Sequence, residues 1–222
     1  MKPVDRYTHR PYGTHALLLD LERGACGDPA PARLRATSLA AHLRRTARIV
    51  DAVAAYSEVL VTFRHPSDCP PVLRAVDAFL RLDPGLSDAR HPAPPVEHTL
   101  LVDYAAGPDL DYVAQEKGLT RARLIECHAA ATYTALAVGF QPGFAYLGGL
   151  PPELHLPRRS SPRTRVPAGS VAISTDQSAV YPHESPGGWH LIGRLCDRDG
   201  APNGLQAEIS VGDRVRFASY HP

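Results

Sequence analysis

Residues 83–95 read DPGLSDARHPAPP, with four prolines and no apolar period of either kind. Proline has no N–H to give a helix or a sheet, and it pushes the residue before it out of the helical region. No regular element runs through such a stretch, so the segments before and after it must fold separately. We therefore place a domain boundary here, with one domain over residues 1–90 and a second over residues 91–222. A chain of 222 residues is long enough for both.

The first domain alternates two periods. THALLLDL, residues 14–21, reads as a mostly buried strand, with His15 as a core histidine. In RLRATSLAAHLRRTA, Leu34, Leu39, Ala40, Leu43 and Ala47 fall near one helical stripe and the arginines lie mostly off it. SEVLVTF reads as another strand. Asp68 stands where it can cap a helix with prolines in its first turn, and Val72, Ala75, Val76, Phe79 and Leu80 give that helix an apolar face. The expectation is a small α+β unit.

The second domain opens in the same way and then changes. HTLLVDY reads as a strand, and GPDLDYVAQEKG as a short helix ended by Gly118 in the left-handed region. Thr120 caps the next helix, which places Leu124, Ile125 and His128 on one side. YTALAVGF is again strand-like. Beyond it, short apolar runs (SVAIS, WHLIG, DRVRF) alternate with Gly, Pro and Ser turns, the pattern of a β-barrel or sandwich. The helix pair around Gly118 has a helix-turn-helix outline, but Glu126 offsets Arg121 and Arg123, so we do not read it as binding DNA.

Charge limits the partners. The formal net charge is +1, from 24 basic and 23 acidic residues, so no global attraction to nucleic acid or membrane is expected. No apolar run approaches the roughly 20 residues that span a bilayer, and MKPVDRYTHR has no signal-peptide core. A cytoplasmic location is expected. Cys26, Cys69, Cys127 and Cys196 are scattered without a CxxC pair, and no metal site is expected.

Three segments can carry chemistry. GFQPGFAYLGGL combines Gly and Pro with Phe140, Phe144 and Tyr146; with Gly143 allowing close approach of a ligand, it reads as a pocket wall or as a tight loop whose rings plug the barrel. PRRSSPRTRVPAG holds Arg158, Arg159, Arg163 and Arg165 among prolines. Guanidinium groups take carboxylate or phosphate in a planar fork. Arg163 and Arg165, flanked by Pro162 and Pro167, are expected to be the fixed pair; the alternative is a solvated loop that pairs with nearby acids. YPHESPGGWHLIG holds Trp189, His183, His190 and Glu184. His190 or Glu184 can serve as a general base if its environment tunes it, or Glu184 can instead hold the loop containing Gly187 and Gly188. No GxSxG elbow and no P-loop pattern is present.

In this order, GFQPGFAYLGGLPPELHLPRRSSPRTRVPAGSVAIS followed by YPHESPGGWHLIGR resembles the allophanate hydrolase subunit 1 family. PYGTHALLLDL, DAVAAYSEVLVTF and VGDRVRF continue the resemblance more loosely toward both ends. The sequence departs from the family pattern at His183 and at Ala105 and Ala106. That family includes the B subunit of bacterial 5-oxoprolinase, KipI-type inhibitors of a sporulation histidine kinase, and the C-D half of urea carboxylase carboxyltransferase domains. The resemblance implies a small N-terminal α+β domain followed by a cyclophilin-like β-barrel. It also implies a separate subunit 2 homologue as partner, with a LamB/YcsF-type protein as a third component.

The function so implied is ATP-dependent hydrolysis of a lactam. ATP, with Mg, is bound here or on the partner, and phosphorylation of the amide oxygen makes the carbon electrophilic. Glu184 and His190 are the expected catalytic residues. Phe140, Gly143, Phe144, Tyr146, Arg163, Arg165, Gly187, Gly188 and Trp189 are expected to bind a small anionic substrate. The alternatives are a kinase-inhibiting binding module, or carboxyl transfer beside a biotin carrier on another chain.

Overall fold

The computed structural model describes residues 7–21, 30–82, 94–205 and 207–221. The chain divides into two compact units, Met1–Pro94 and Pro95–Pro222. Most of the proline-rich stretch, residues 83–93, lies outside the described residues, as does Cys26.

The first unit runs β1 (Thr8–Pro11), β2 (Ala16–Asp20), α1 (Ala30–Leu43), β3 (Ile49–Ala55), β4 (Glu58–Phe63) and α2 (Cys69–Leu82). Its four strands form an antiparallel sheet in the order β1-β2-β4-β3. Period-2 alternation sends Leu17, Leu19, Val59 and Val61 to one face, where they form a single core with Leu39 and Leu43 of α1 and Val76 and Phe79 of α2. The edge strands escaped the sequence analysis for physical reasons. β1 is short and polar and ends in proline, and β3 breaks its alternation with a register shift between Ile49 and Asp51. His15 is not a core residue; it is exposed in the turn before β2, with its Nδ1 2.8 Å from Thr14 Oγ1. Ala47 lies beyond the end of α1 and is exposed. Asp68 directly precedes α2, but its carboxylate turns back to accept from the His65 N–H (3.2 Å) and from Arg48 Nη1 (3.0 Å).

The second unit contains β5 (Glu97–Asp103), α3 (Leu110–Glu116), α4 (Arg121–Ala130), β6 (Thr132–Val138), β7 (Ala145–Gly148), β8 (Arg163–Val166), β9 (Ser170–Ser174), β10 (Gln177–Val180), β11 (Ser185–Gly187), β12 (His190–Leu195) and β13 (Arg214–Ser219). Seven strands close a barrel in the order β10-β7-β6-β13-β5-β12-β9, and the pairing of β9 with β10 completes the ring. Only β5 and β13 are parallel within it. β8 and β11 form a separate two-stranded ribbon. The α+β organisation and the barrel expected from the sequence are both present.

The two helices of this unit are joined as the sequence indicates. Gly118 has φ +63°, and the N–H groups of Gly118 and Leu119 close onto the Gln115 and Ala114 carbonyls. Thr120 Oγ1 accepts from the Arg123 N–H (3.2 Å). Arg121 and Arg123 pair with Asp111 and Glu126.

Burial of α4 brings a histidine into the core. His128 is fully enclosed, and its polar atoms form a chain. Ser178 Oγ donates to the Ala172 carbonyl (3.1 Å), so it accepts from His128 Nε2–H (3.0 Å), and the Tyr104 hydroxyl then donates to Nδ1 (2.8 Å). Every member is satisfied with a neutral ring. Desolvation lowers the imidazole from 6.5 to about 3. A depressed folded-state value means that protonation favours the unfolded chain. The stabilisation is complete above about pH 6.5 and is lost as pH falls toward 3. Between pH 7 and pH 5 this group alone removes about 2 kcal/mol. Urea unfolding at the two pH values measures it: His128→Gln is less stable at pH 7 and shows a smaller loss between them.

Candidate functional site

The arginine-rich segment is not a free loop. Its first half is fastened along the third chemistry-bearing segment: the Arg159 N–H donates to the Gly188 carbonyl (2.8 Å), and His190 Nε2–H donates to the Pro157 carbonyl (3.0 Å). Its second half is β8, antiparallel to β11. Gly187 faces Arg163 and Ser185 faces Val166, so a step of two residues on β11 spans three on β8. In a regular strand Arg163 and Arg165 would share a face. The extra residue is a bulge, and it sends them to different surroundings.

Arg163 turns inward. Its Nη2 donates to Asp109 Oδ1 (2.7 Å), which also accepts from Arg159 Nη1 (3.0 Å), while Asp109 Oδ2 accepts from the Leu191 N–H (2.7 Å). Asp109 is 4% exposed. One buried carboxylate thereby joins the start of α3, the arginine segment and β12. It balances one of the two guanidinium charges. Arg159 Nε and Arg163 Nη1 remain buried without a partner, and so does His190 Nδ1. Tyr112 of α3 stacks on the His190 ring, with centroids 5.5 Å apart and planes at 14°.

Arg165 turns outward. Its Nε and Nη2 meet Glu184 Oε1 and Oε2 at 3.0 and 2.9 Å, with both side chains largely in solvent. The hydrogen bonds and charge of Arg165 hold the Glu184 carboxyl below its usual range. A general base acting near neutrality needs the opposite tuning. Glu184, expected in catalysis, and Arg165, expected in substrate binding, are paired with each other at the surface. His190 is buried, and its Nε2 is engaged by Pro157.

The aromatic residues do converge, but they fill space. Phe144 packs edge-on against Tyr146, Tyr181 and Trp189 at 5.0–6.0 Å. With Val166, Ala172 and Leu191 these rings form a second apolar cluster. Phe144 and Trp189 are buried in it. Phe140 alone stands out: it is 62% exposed and has φ +74°, a strained conformation for a residue with a side chain. Gly143 supplies the left-handed residue (φ +81°) of the same turn. A Cβ at Gly187 would run into the Tyr181 ring, and Gly188 holds Arg159. Packing of the ribbon therefore demands glycine at 187, whereas a Cβ at Gly188 would make only ordinary contact with Pro162. A recess of about 500 Å³ lined by Thr99, Leu101, Cys196, Asp197, Arg198 and Asn203 contains none of the expected site residues. Burial pushes the Cys196 thiol up, away from its reactive form.

Two members of the cationic cluster carry little signal in the sequence. Prolines flank Arg163 and Arg165 and so favour that pair over Arg159. Asp109, after Pro108 at the head of a short helix, carries only the signal of an N-cap, yet its side chain makes no cap and reaches across to the arginines. Among the described residues, no group of three His, Cys, Asp or Glu side chains is placed to hold a metal ion.

The family described as carboxyltransferase domain, subdomain C and D, matches residues 7–197. The chain belongs to that family. The match runs from the start of the N-terminal sheet through β12, and so includes every residue of the Asp109 cluster. The protein named as the B subunit of 5-oxoprolinase in Escherichia coli O157:H7 is 38% identical over 210 residues, 92% of each chain. The crystal structure of TTHA0988 aligns with a TM-score of 0.69 at 33% identity, over 93% of this chain and 40% of that one. This chain thus spans less than half of that protein. The Kluyveromyces lactis urea carboxylase shares the fold, with a TM-score of 0.70 at 18% identity over 97% of this chain and 22% of that one.

The Asp109 and Glu184 carboxylates differ in burial, and their removal separates them. Asp109→Ala leaves two guanidinium groups without their buried counter-charge and is expected to cost about 3 kcal/mol. Glu184→Gln breaks only an exposed pair and leaves the urea midpoint unchanged within error. Equal losses in the two variants would refute the assignment of Asp109 as the anchor.

Proposed function

We propose that this chain is the B-type subunit of an ATP-dependent 5-oxoprolinase, an amide hydrolase that opens the lactam of 5-oxoproline to glutamate. It works with a separate subunit 2 homologue and a LamB/YcsF-type third component. The observation that carries this reading is the 38% identity, over 92% of both chains, with a protein named as the B subunit of 5-oxoprolinase. The chemistry of the site supports it: a small carboxylate suits two guanidiniums that share one buried counter-charge. No described helix is long and apolar enough to cross a membrane, and a cytoplasmic location accompanies this reading.

The division of labour follows from which groups are free. Glu184 is tied to Arg165 through both carboxylate oxygens, whereas His190 gives its Nε2–H to Pro157 and keeps Nδ1 to accept from a substrate donor. We assign this chain the binding and orientation of the substrate, and we assign ATP and its Mg²⁺ to the companion subunits. Activity then belongs to the complex.

Co-expression with the companion subunits should yield ATP-coupled release of glutamate from 5-oxoproline, and the isolated chain should release none. Turnover that requires biotin and hydrogen carbonate would replace this reading with carboxyl transfer. An inactive complex, together with capture of a histidine kinase domain, would replace it with the inhibitory role.

A further inference from the structure

The three unpartnered atoms near Asp109 have complementary chemistry. Arg159 Nε and Arg163 Nη1 are N–H donors on cations. His190 gives its Nε2–H to the Pro157 carbonyl (3.0 Å), so in the neutral ring Nδ1 holds a lone pair and accepts. The connections keep them together. Both guanidiniums end on Asp109 Oδ1, and Asp109 Oδ2 takes the N–H of Leu191, the residue after His190. The His190 ring in turn holds the carbonyl two residues before Arg159. Native proteins rarely leave such groups unpaired, and His190 is only 4% exposed.

We propose that Arg159, Arg163 and His190 form a binding site for a small oxyanion that carries one N–H or O–H donor. Its two oxygens would accept from the guanidinium N–H groups, and its donor would go to His190 Nδ1. Asp109 cancels one of the two cationic charges, so the remaining one matches a monoanion. Resting on the 5-oxoprolinase reading, the occupant is 5-oxoproline, whose carboxylate sits on the carbon bonded to the lactam N–H. Hydrogen carbonate and hydrogen phosphate share the pattern of acceptors and donor. Tyr112, 48% exposed, stacks on the face of the imidazole, whereas the Nδ1 lone pair lies in the ring plane.

Calorimetric titration of the full chain, alone and within the co-purified complex, tests the site with defined probes. These are 5-oxoproline, the lactone 5-oxotetrahydrofuran-2-carboxylate (ring oxygen in place of N–H), 2-pyrrolidinone (no carboxylate), hydrogen carbonate and inorganic phosphate. The expected result is binding of 5-oxoproline, at least about tenfold weaker binding of the lactone, and none of 2-pyrrolidinone. Arg163→Gln should weaken 5-oxoproline at least about tenfold, and His190→Phe should bring lactam and lactone within about twofold of each other while the lactone still binds. Equal affinity of the wild-type protein for lactam and lactone overturns the proposal. So does a preference that survives His190→Phe, or no binding of any probe to chain or complex. Tighter binding of hydrogen carbonate or phosphate than of 5-oxoproline overturns the lactam assignment. ATP-coupled turnover with an unchanged KM in Arg163→Gln refutes this site and leaves the proposed function standing. The expected probe preferences in a complex that never releases glutamate would refute the function and leave the site.

Discussion

A buried carboxylate has to be paired, and Asp109 meets that demand with partners from two other parts of the chain. Its two oxygens collect Arg159, Arg163 and the backbone of Leu191. The result is a junction at which a short helix, a proline-stiffened segment and a barrel strand are held to one point. Separately, none of the three would define the position of a guanidinium group. The arginines stand in a fixed place because a charge withdrawn from water tolerates little misplacement.

The ribbon that bears these arginines needs something to lie on. β9 is buried along its whole length, with Val171 and Ile173 in the barrel core and Ala172 in the cluster around Phe144 and Trp189. A strand of a small barrel usually presents one face to water. Here that face is covered by aromatic rings, and the β8–β11 ribbon supplies Val166 to the same cluster. Apolar burial provides the foundation, and the bulge in β8 decides which arginine faces inward.

The interior and exterior of the barrel handle polarity differently. Inside, Tyr104, His128, Ser178 and the Ala172 carbonyl pass hydrogen bonds along a chain that leaves no ring nitrogen of His128 unpaired. At the Asp109 junction, donors outnumber acceptors. A completed network rigidifies a core, whereas an uncompleted one beside excess positive charge is suited to receiving a ligand. That contrast makes the junction the candidate site and gives the internal histidine a structural role.

Much of the architecture could be read from residue order, because it rests on local rules. Period-2 and period-3.6 patterns marked β2, β4 and α2; Gly118 and Thr120 marked the α3–α4 connection; frequent turns after β6 announced a barrel or a sandwich. Those signals arise from backbone sterics and capping, which act over a few residues. The site obeyed no such rule. Prolines beside Arg163 and Arg165 said that the segment was stiff, but a one-residue bulge, which depends on pairing with β11, separated the two. Asp109 lies 50 residues from Arg159 and 54 from Arg163. The composition could therefore announce that cations were gathered for a purpose. Only the folded chain could choose which of them would be buried, because burial and pairing are properties of neighbours in space.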